Sequence, residues 1–412
     1  MRLCFLSLED ITLPPGGIAT YLNNICVYLA KAGHDIHVIS RQIGEAPREY
    51  DYEGVHIHEV SAPGPTFFYA PLYFINARKK FLKLNRQNSF DLVHSDPPLM
   101  ATLSLAGLKT PPVVETVHTT IRGLLYILTR SSILQTNLNE VLTILFAPIL
   151  FALEKWQLRK ADRVICVSQG LLEETIAQYP FLANKCVVIP NGIEFEKFRQ
   201  VKKMEIDETR KSLGLTKNTQ VILYLGRLMQ QKRVLDLVYS LPKILAAQPD
   251  VKLLIIGRLN KNARILQETV KSLKLDDHVI MMDHVDYNHV QVFYALADVY
   301  ALPSSYEGFP FTILEAMAAG TPVIAADIPG IREQIVHGES GLLHPVGDIG
   351  QIADGIIWLL KNKDKAKRIS EKAGEFVRNN NTWEIIGSRT EDLFRSVIQN
   401  GQLKKREEDA HV

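Results

Sequence analysis

The feature that most constrains the fold is a repeated alternation of short apolar runs with helix-length segments. In the first half the runs are Leu3–Leu8, Asp35–Ser40, Val55–Val60, Leu92–Ser95, Val113–His118, Arg163–Ser168 and Cys186–Pro190. In the second half they are Val221–Gly226, Lys252–Gly257, His278–Met282, Val299–Leu302 and Pro322–Ala325. Near-continuous apolar runs are strands buried on both faces, and strands separated by helices form parallel, doubly wound sheets. The pattern occurs twice, so the 412 residues are expected to form an α/β protein of two Rossmann-like domains, with no short-period repeat. The expected division is a first domain over 1–193, a second over 194–382, a last helix over 383–400 that crosses back to the first domain, and a polar tail over 401–412. Ligands bind at the carboxyl ends of strands in such sheets, and both sets of strand ends are expected to face one central cleft.

Composition excludes several classes. The formal charge of +2 gives no electrostatic footprint for nucleic acid, and none is expected as a partner. Cys4, Cys26, Cys166 and Cys186 form no Cys-x-x-Cys pair and read as buried thiols of a reducing compartment. Glu9 and Asp10 interrupt the first apolar run before a signal core forms, and Pro148 lies in the longest run, Val141–Leu153, which is too short to span a bilayer. The expected location is the cytoplasm, with peripheral attachment to the inner face of the cytoplasmic membrane left open.

The chemistry concentrates in Glu307-Gly308-Phe309-Pro310-Phe311-Thr312-Ile313-Leu314-Glu315, followed by Ala316-Met317-Ala318-Ala319-Gly320. Pro310 suits a first helical position and Gly320 the stop just past the end. Glu307 then precedes a short helix and Glu315 lies inside it. A helix N-terminus attracts phosphate, and a carboxylate on each side of it can hold sugar hydroxyls. Carboxylate pairs also serve glycoside hydrolases, but the neighbouring basic residues favour nucleotide-sugar binding. Those are Arg227, at the end of the strong run Val221–Gly226, and Lys232 five positions on; together they can neutralise a departing diphosphate. Asp-x-Asp is absent, as are a Walker-type loop and Gly-x-Gly-x-x-Gly. No metal site and no cofactor are therefore expected. Gly16 and Gly17 follow the first run and open a helix, where backbone N–H groups can approach an anion. His118 ends a strand, and His94, Asp96 and Asp10 have similar but weaker claims, on the acceptor side.

These residues resemble the family 4 retaining glycosyltransferases (glycosyl transferases group 1) of GT-B architecture. The resemblance covers nearly the whole chain. Its most specific part runs from Ala297-Asp298-Val299-Tyr300 through Glu307–Glu315 to Gly320-Thr321-Pro322-Val323, with Gly330-Ile331-Arg332-Glu333 and Gly338-Glu339-Ser340-Gly341-Leu342-Leu343 beyond it. It implies a retaining transfer of a hexosyl unit from a nucleotide-diphosphate sugar to a hydroxyl acceptor by front-face displacement. On that reading Glu307 meets the donor sugar and Glu315 the ribose. Arg227 and Lys232 hold the diphosphate, Gly17 closes over it with Gly16 among the donor-binding residues, and His118 touches the sugar near the reacting carbon. Gly308, Phe309, Phe311, Thr312 and Ile313 complete the donor segment, and the base is expected near Gly257-Arg258 and His284-Val285. Pro310 and Arg233 stand where the family often has glycine. A phosphorylase, a nucleotide-sugar epimerase and a silent nucleotide-sugar-binding protein are alternatives on the same fold.

The acceptor is expected to be a glycan, a lipid or a small molecule. Thr66–Phe90 carries Phe67, Phe68, Tyr69, Tyr73 and Phe74, then Arg78, Lys79, Lys80, Lys83 and Arg86 without an intervening acid. Such a segment can lie on an anionic membrane or pack its apolar side on the sheet.

Overall fold

A computed structural model describes the chain except for residues 10, 12–15, 65, 96–102, 130–137 and 411–412, and except for the side chains of 66–69, 138–140 and 404–410. Asp10 and Asp96 lie outside the described residues. The chain divides into two compact units. One holds Met1–Thr129, Thr136–Asn191 and Trp383–Val412, and the other is built on Gly192–Thr382.

The first unit contains β1 (Arg2–Leu6), β2 (Asp35–Arg41), β3 (Glu49–Tyr52), β4 (Val55–Val60), β5 (Leu92–Ser95), β6 (Val113–Val117), β7 (Arg163–Cys166) and β8 (Cys186–Val188). They form one sheet in the order β3-β4-β2-β1-β5-β6-β7-β8. Every pair is parallel except β3 with β4. The direction of winding reverses between β1 and β5, where open sheets of this type bind ligands. The helix Gly17–Lys31 buries Tyr21, Leu22, Ile25, Cys26 and Leu29, the three-and-four spacing of a single apolar face. The helix Trp383–Ala410 belongs to this unit. Phe394 is buried 6.4 Å from Phe5 between ring centroids, and Trp383 lies 6.2 Å from Tyr21. Gly387 leaves the room that the Tyr28 ring fills.

The second unit contains β9 (Gln220–Leu225), β10 (Val251–Ile256), β11 (Val279–Met282), β12 (Val299–Leu302), β13 (Val323–Ala326) and β14 (Leu342–His344). All are parallel, in the order β11-β10-β9-β12-β13-β14. Its winding reverses between β9 and β12. Each of those two strands is apolar and almost wholly buried, as strands covered on both faces must be. The helix Phe311–Ala319 follows β12 and buries Ile313 through Ala318. It stops at Gly320, whose φ of 80° and ψ of 20° suit a left-handed glycine cap. Pro310 is the residue before the helix rather than its first member.

The apolar pattern does not announce two strands. β3 is Glu-Tyr-Asp-Tyr on an exposed sheet edge, and β14 has only three residues.

Candidate functional site

In the second unit the expected donor residues gather at the carboxyl ends of β9, β10, β11 and β12. Gly226 donates its N–H to Ile256 O at 3.0 Å, and Tyr224 donates its hydroxyl to Arg227 O at 2.8 Å. Buried Leu228 anchors the turn, and its carbonyl accepts from Asn260 Nδ2 at 3.0 Å and Asn262 Nδ2 at 2.8 Å. A side chain at Gly257 would collide with Gly226 O, so glycine there lets β9 and β10 end side by side. These bonds leave Arg227 exposed at the strand end.

The loop after β9 is tied to the loop after β12. Ser305 N donates to Gln231 O at 2.8 Å, and Gln231 Nε2 to Tyr306 O at 2.6 Å. Lys232 Nζ meets Glu307 Oε1 at 2.5 Å, with their side chains only 13% and 9% exposed. A charged pair this close at the point of reversed winding is a charge-assisted bond in a partly desolvated place. Below it, a side chain at Gly330 would collide with the carbonyl oxygens of Glu307 and Gly308, and buried Gln334 donates to Pro310 O at 3.1 Å. Sequence reasoning ties Lys232 to phosphate and Glu307 to sugar; the structure adds that each neutralises the other.

Arg233 explains one departure from the family pattern. Its φ is 51° and ψ 35°, the left-handed region that glycine occupies without strain. Arg233 adopts it and gains a two-point pair with Asp236, Nε–Oδ2 2.6 Å and Nη2–Oδ1 3.2 Å, at the start of the helix Val234–Ala247.

Glu315 sits one helical face away, 5% exposed, accepting the Tyr294 hydroxyl at 2.6 Å. Burial pushes its carboxyl up to about 7, and the Tyr294 bond and the Lys197 charge offset only part of that. Ile313 and Phe309 are buried, and their side chains build the core under the segment. The Thr312 hydroxyl lies against that of Tyr300, while Gly308 and Phe311 are half-buried. Arg258 and His284 are exposed and Val285 half-buried after β10 and β11. Asp283 accepts from the N–H groups of Leu259, at 3.2 Å, and His284, at 2.8 Å, and fixes that edge.

In the first unit Gly16 caps the helix Gly17–Lys31 with φ −93° and ψ 161°. Glu9, which sequence reasoning does not single out for this role, bonds the same helix end: its Oε2 accepts from Ala19 N at 3.0 Å. The available signal is an acid in the strand-to-helix connection just ahead of Gly16-Gly17. His118 follows β6, half-buried, with the Tyr21 ring 4.9 Å away edge-on. His94 is a correction. It is wholly buried, its Nε2 bonds Thr116 Oγ1 at 2.8 Å, and Phe5 packs at 4.8 Å. Burial lowers its pKa to about 3, so it is a neutral core histidine and offers no surface to an acceptor.

Thr66–Gln87 is one helix. Tyr73, Ala77, Phe81 and Leu84 form its buried stripe, while Lys80 turns to Glu49 at 2.6 Å and Arg78 to Ala106 O at 2.5 Å. Lys79, Lys83, Arg86, Leu72 and Ile75 are exposed. Among the described residues of the apolar stretch Ile121–Leu153, Val141, Leu145, Phe146 and Ile149 are exposed. Among the described residues no helix is long and apolar enough to cross a membrane.

Comparison with known proteins fits this geometry. Sucrose-phosphate synthase from Thermosynechococcus elongatus superposes with a TM-score of 0.82 at 23% identity, covering 97% of this chain and 99% of that one. Anabaena Alr3699/HepE, solved in complex with UDP-glucose, superposes with a TM-score of 0.74 at 20% identity, covering 96% and 100%. Two parallel-sheet units of this kind are the GT-B architecture of glycosyltransferases. The family model "Glycosyltransferase Family 4" matches residues 15–197 and "Glycosyl transferases group 1" matches 205–376. N-acetyl-alpha-D-glucosaminyl L-malate synthase of Bacillus anthracis is 27% identical over 392 residues, 95% of this chain and 96% of that protein. The chain belongs to the family 4, group 1 glycosyltransferases.

Proposed function

We propose that this glycosyltransferase moves a hexosyl unit from a nucleotide-diphosphate sugar to a hydroxyl acceptor with retention at the anomeric carbon. The observation that carries the reading is the Lys232–Glu307 pair at the β9/β12 reversal, with Arg227 exposed beside it. The donor diphosphate takes Arg227 and Lys232 as its cations and displaces Glu307 from Lys232; the freed carboxylate then accepts from the sugar hydroxyls. Glu315 accepts from the ribose. The bond from the anomeric carbon to the diphosphate oxygen breaks as the acceptor oxygen arrives on the same face, and the leaving phosphate takes the acceptor proton. Cationic side chains stabilise the leaving group, so no metal is required. The Alr3699/HepE complex with UDP-glucose supports an activated-sugar donor.

Thermal-shift screening of uridine, guanosine and adenosine diphosphate sugars identifies the donor. NMR of the product then reads its anomeric configuration. Retention, with transfer continuing at 25 °C in excess chelator, is the expected result; inversion, or a loss that added magnesium or manganese restores, contradicts it. Lys232→Ala and Glu307→Ala each lower transfer at least about 10²-fold with unchanged far-UV circular dichroism.

The exposed Leu72, Ile75, Lys79, Lys83 and Arg86 support a membrane-proximal acceptor. Co-sedimentation with anionic but not neutral vesicles, lost in Lys79→Glu/Lys83→Glu, is expected; equal recovery with both removes that part of the reading.

A further inference from the structure

A second group of ionisable side chains is built into the first unit's sheet, at the opposite end of the strands from Gly16 and His118. Asp35 opens β2, and His37 follows two positions on, so both project from the same face. The register sets His37 beside His56 of β4. It then sets His56 beside Asp51 and His58 beside Glu49 of β3. These carboxylates and imidazoles therefore share one face across neighbouring strands.

Their bonding leaves lone pairs facing one another. His58 Nδ1 lies 3.1 Å from Glu49 Oε2, His58 Nε2 lies 2.9 Å from His37 Nδ1, and His37 Nε2 lies 3.0 Å from Asp35 Oδ1. Each contact needs one N–H, so this row needs three protons, and two neutral imidazoles supply two. When His58 donates to Glu49 and His37 donates to His58, the Nε2 lone pair of His37 points at a carboxylate oxygen. His56 has the same difficulty. Its Nδ1 lies 2.5 Å from Asp51 Oδ1, which fixes the proton there, and its Nε2 faces Asp35 Oδ1 at 3.6 Å. Asp35 Oδ1, His37 Nε2 and His56 Nε2 thus converge, all within 4.8 Å of one another. Tetrahedral zinc with nitrogen and oxygen ligands at about 2.0–2.1 Å sets those atoms about 3.3 Å apart, between the two separations to Asp35. The other oxygen of Asp35 is held by Arg2 Nε at 2.9 Å, and Glu49 by Lys80 at 2.6 Å. Carboxylates that orient ligating imidazoles from behind are what a zinc site requires.

We propose that Asp35, His37 and His56 bind one zinc ion, with water in the fourth position and with Asp51 and the His58–Glu49 pair orienting the two imidazoles. Two imidazoles and a carboxylate suit zinc over calcium or magnesium. The site clips β2 to β4 and, through Asp51 and Glu49, to the polar edge strand β3. It has no part in the sugar transfer.

The test uses tag-free full-length chain, stripped with chelator and dialysed, then titrated with zinc and separately with cobalt(II). One zinc binds per chain, the melting temperature rises, and the cobalt form shows the intense visible bands of a tetrahedral site. His56→Gln, at a half-exposed ring, weakens zinc at least about tenfold, and Asp51→Asn, which removes the carboxylate behind His56, about tenfold. His289→Gln, on an exposed histidine of the other unit, changes nothing. Absence of stoichiometric zinc binding, weak octahedral cobalt bands alone, or an unchanged affinity in folded His56→Gln overturns the proposal. The cobalt spectrum of the unsubstituted chain tests it without any variant having to fold.

Discussion

The second unit's site residues are tied loop to loop, whereas the first unit's stand at the ends of single elements. Around Lys232 and Glu307 two loops exchange the Ser305–Gln231 and Gln231–Tyr306 bonds, and Gly330 and Gln334 close in from below. In the first unit Gly16 stands at the N-terminus of the helix Gly17–Lys31, where Glu9 accepts from Ala19 N–H, and His118 follows β6 with the Tyr21 ring edge-on beside it. On the proposed function, charge that develops on a leaving diphosphate is stabilised best by groups already fixed in place, which the loop-to-loop ties provide.

Matched substitutions break or sharpen the contrast. Gly330→Ala forces the Glu307-Gly308 carbonyls to move and lowers transfer at least about tenfold, since small misplacements of fixed groups are expensive. Glu9→Ala, which removes the acceptor of the Ala19 N–H at a helix end, costs about 1 kcal/mol of stability and leaves transfer within about threefold. Equal losses in transfer would show that both halves are braced alike.

The next effect is in pH. Folding raises the Glu315 carboxyl to about 7 because burial disfavours its charge. Its contribution to stability is therefore complete below about pH 4.5 and is lost as pH rises through 7. The full span is about 3 kcal/mol for a shift from 4.5 to about 7. Glu315→Gln, which still accepts from Tyr294, is then more stable than the parent at pH 8 and close to it at pH 4. If the ribose needs the ionised form, nucleotide affinity improves from pH 6 to 8 in the parent alone. A stability difference that does not change with pH contradicts the assignment.

The smallest effect concerns Arg233. Arg233→Ala keeps the left-handed backbone and loses the Asp236 pair, whereas Arg233→Gly loses the pair and relieves the backbone. Glycine is the more stable of the two by about 1 kcal/mol, measured by urea unfolding; the reverse order means that this turn is not strained.

Much of this was legible in the sequence for physical reasons. Strands buried on both faces must be apolar throughout, so β9, β10 and β12 stand out, and Gly320 marks its helix end because only glycine takes that backbone readily. β3 was not legible, since an edge strand of Glu, Tyr and Asp has no apolar run. His94 and His118 both lie at or just past a strand's carboxyl end, and only packing separates the core residue from the half-buried one. Ile313 and Phe309 fall in the right motif, but burial turns their side chains inward. The Lys232–Glu307 pair joins residues 75 positions apart, and no spacing rule reaches that far. The histidine cluster does not show in the sequence because its members pair across strands whose register the sequence does not state.

The central claim is that Lys232 holds the diphosphate and Glu307 holds Lys232 until a donor arrives. Calorimetric titration of uridine, guanosine and adenosine diphosphates into the parent, Lys232→Ala and Glu307→Ala tests it most directly. One nucleotide should bind the parent at one per chain, bind Lys232→Ala at least about tenfold more weakly, and bind Glu307→Ala as tightly as the parent or more tightly, because a competing carboxylate is gone. Binding unchanged by Lys232→Ala, or weakened equally by both substitutions, would contradict the account.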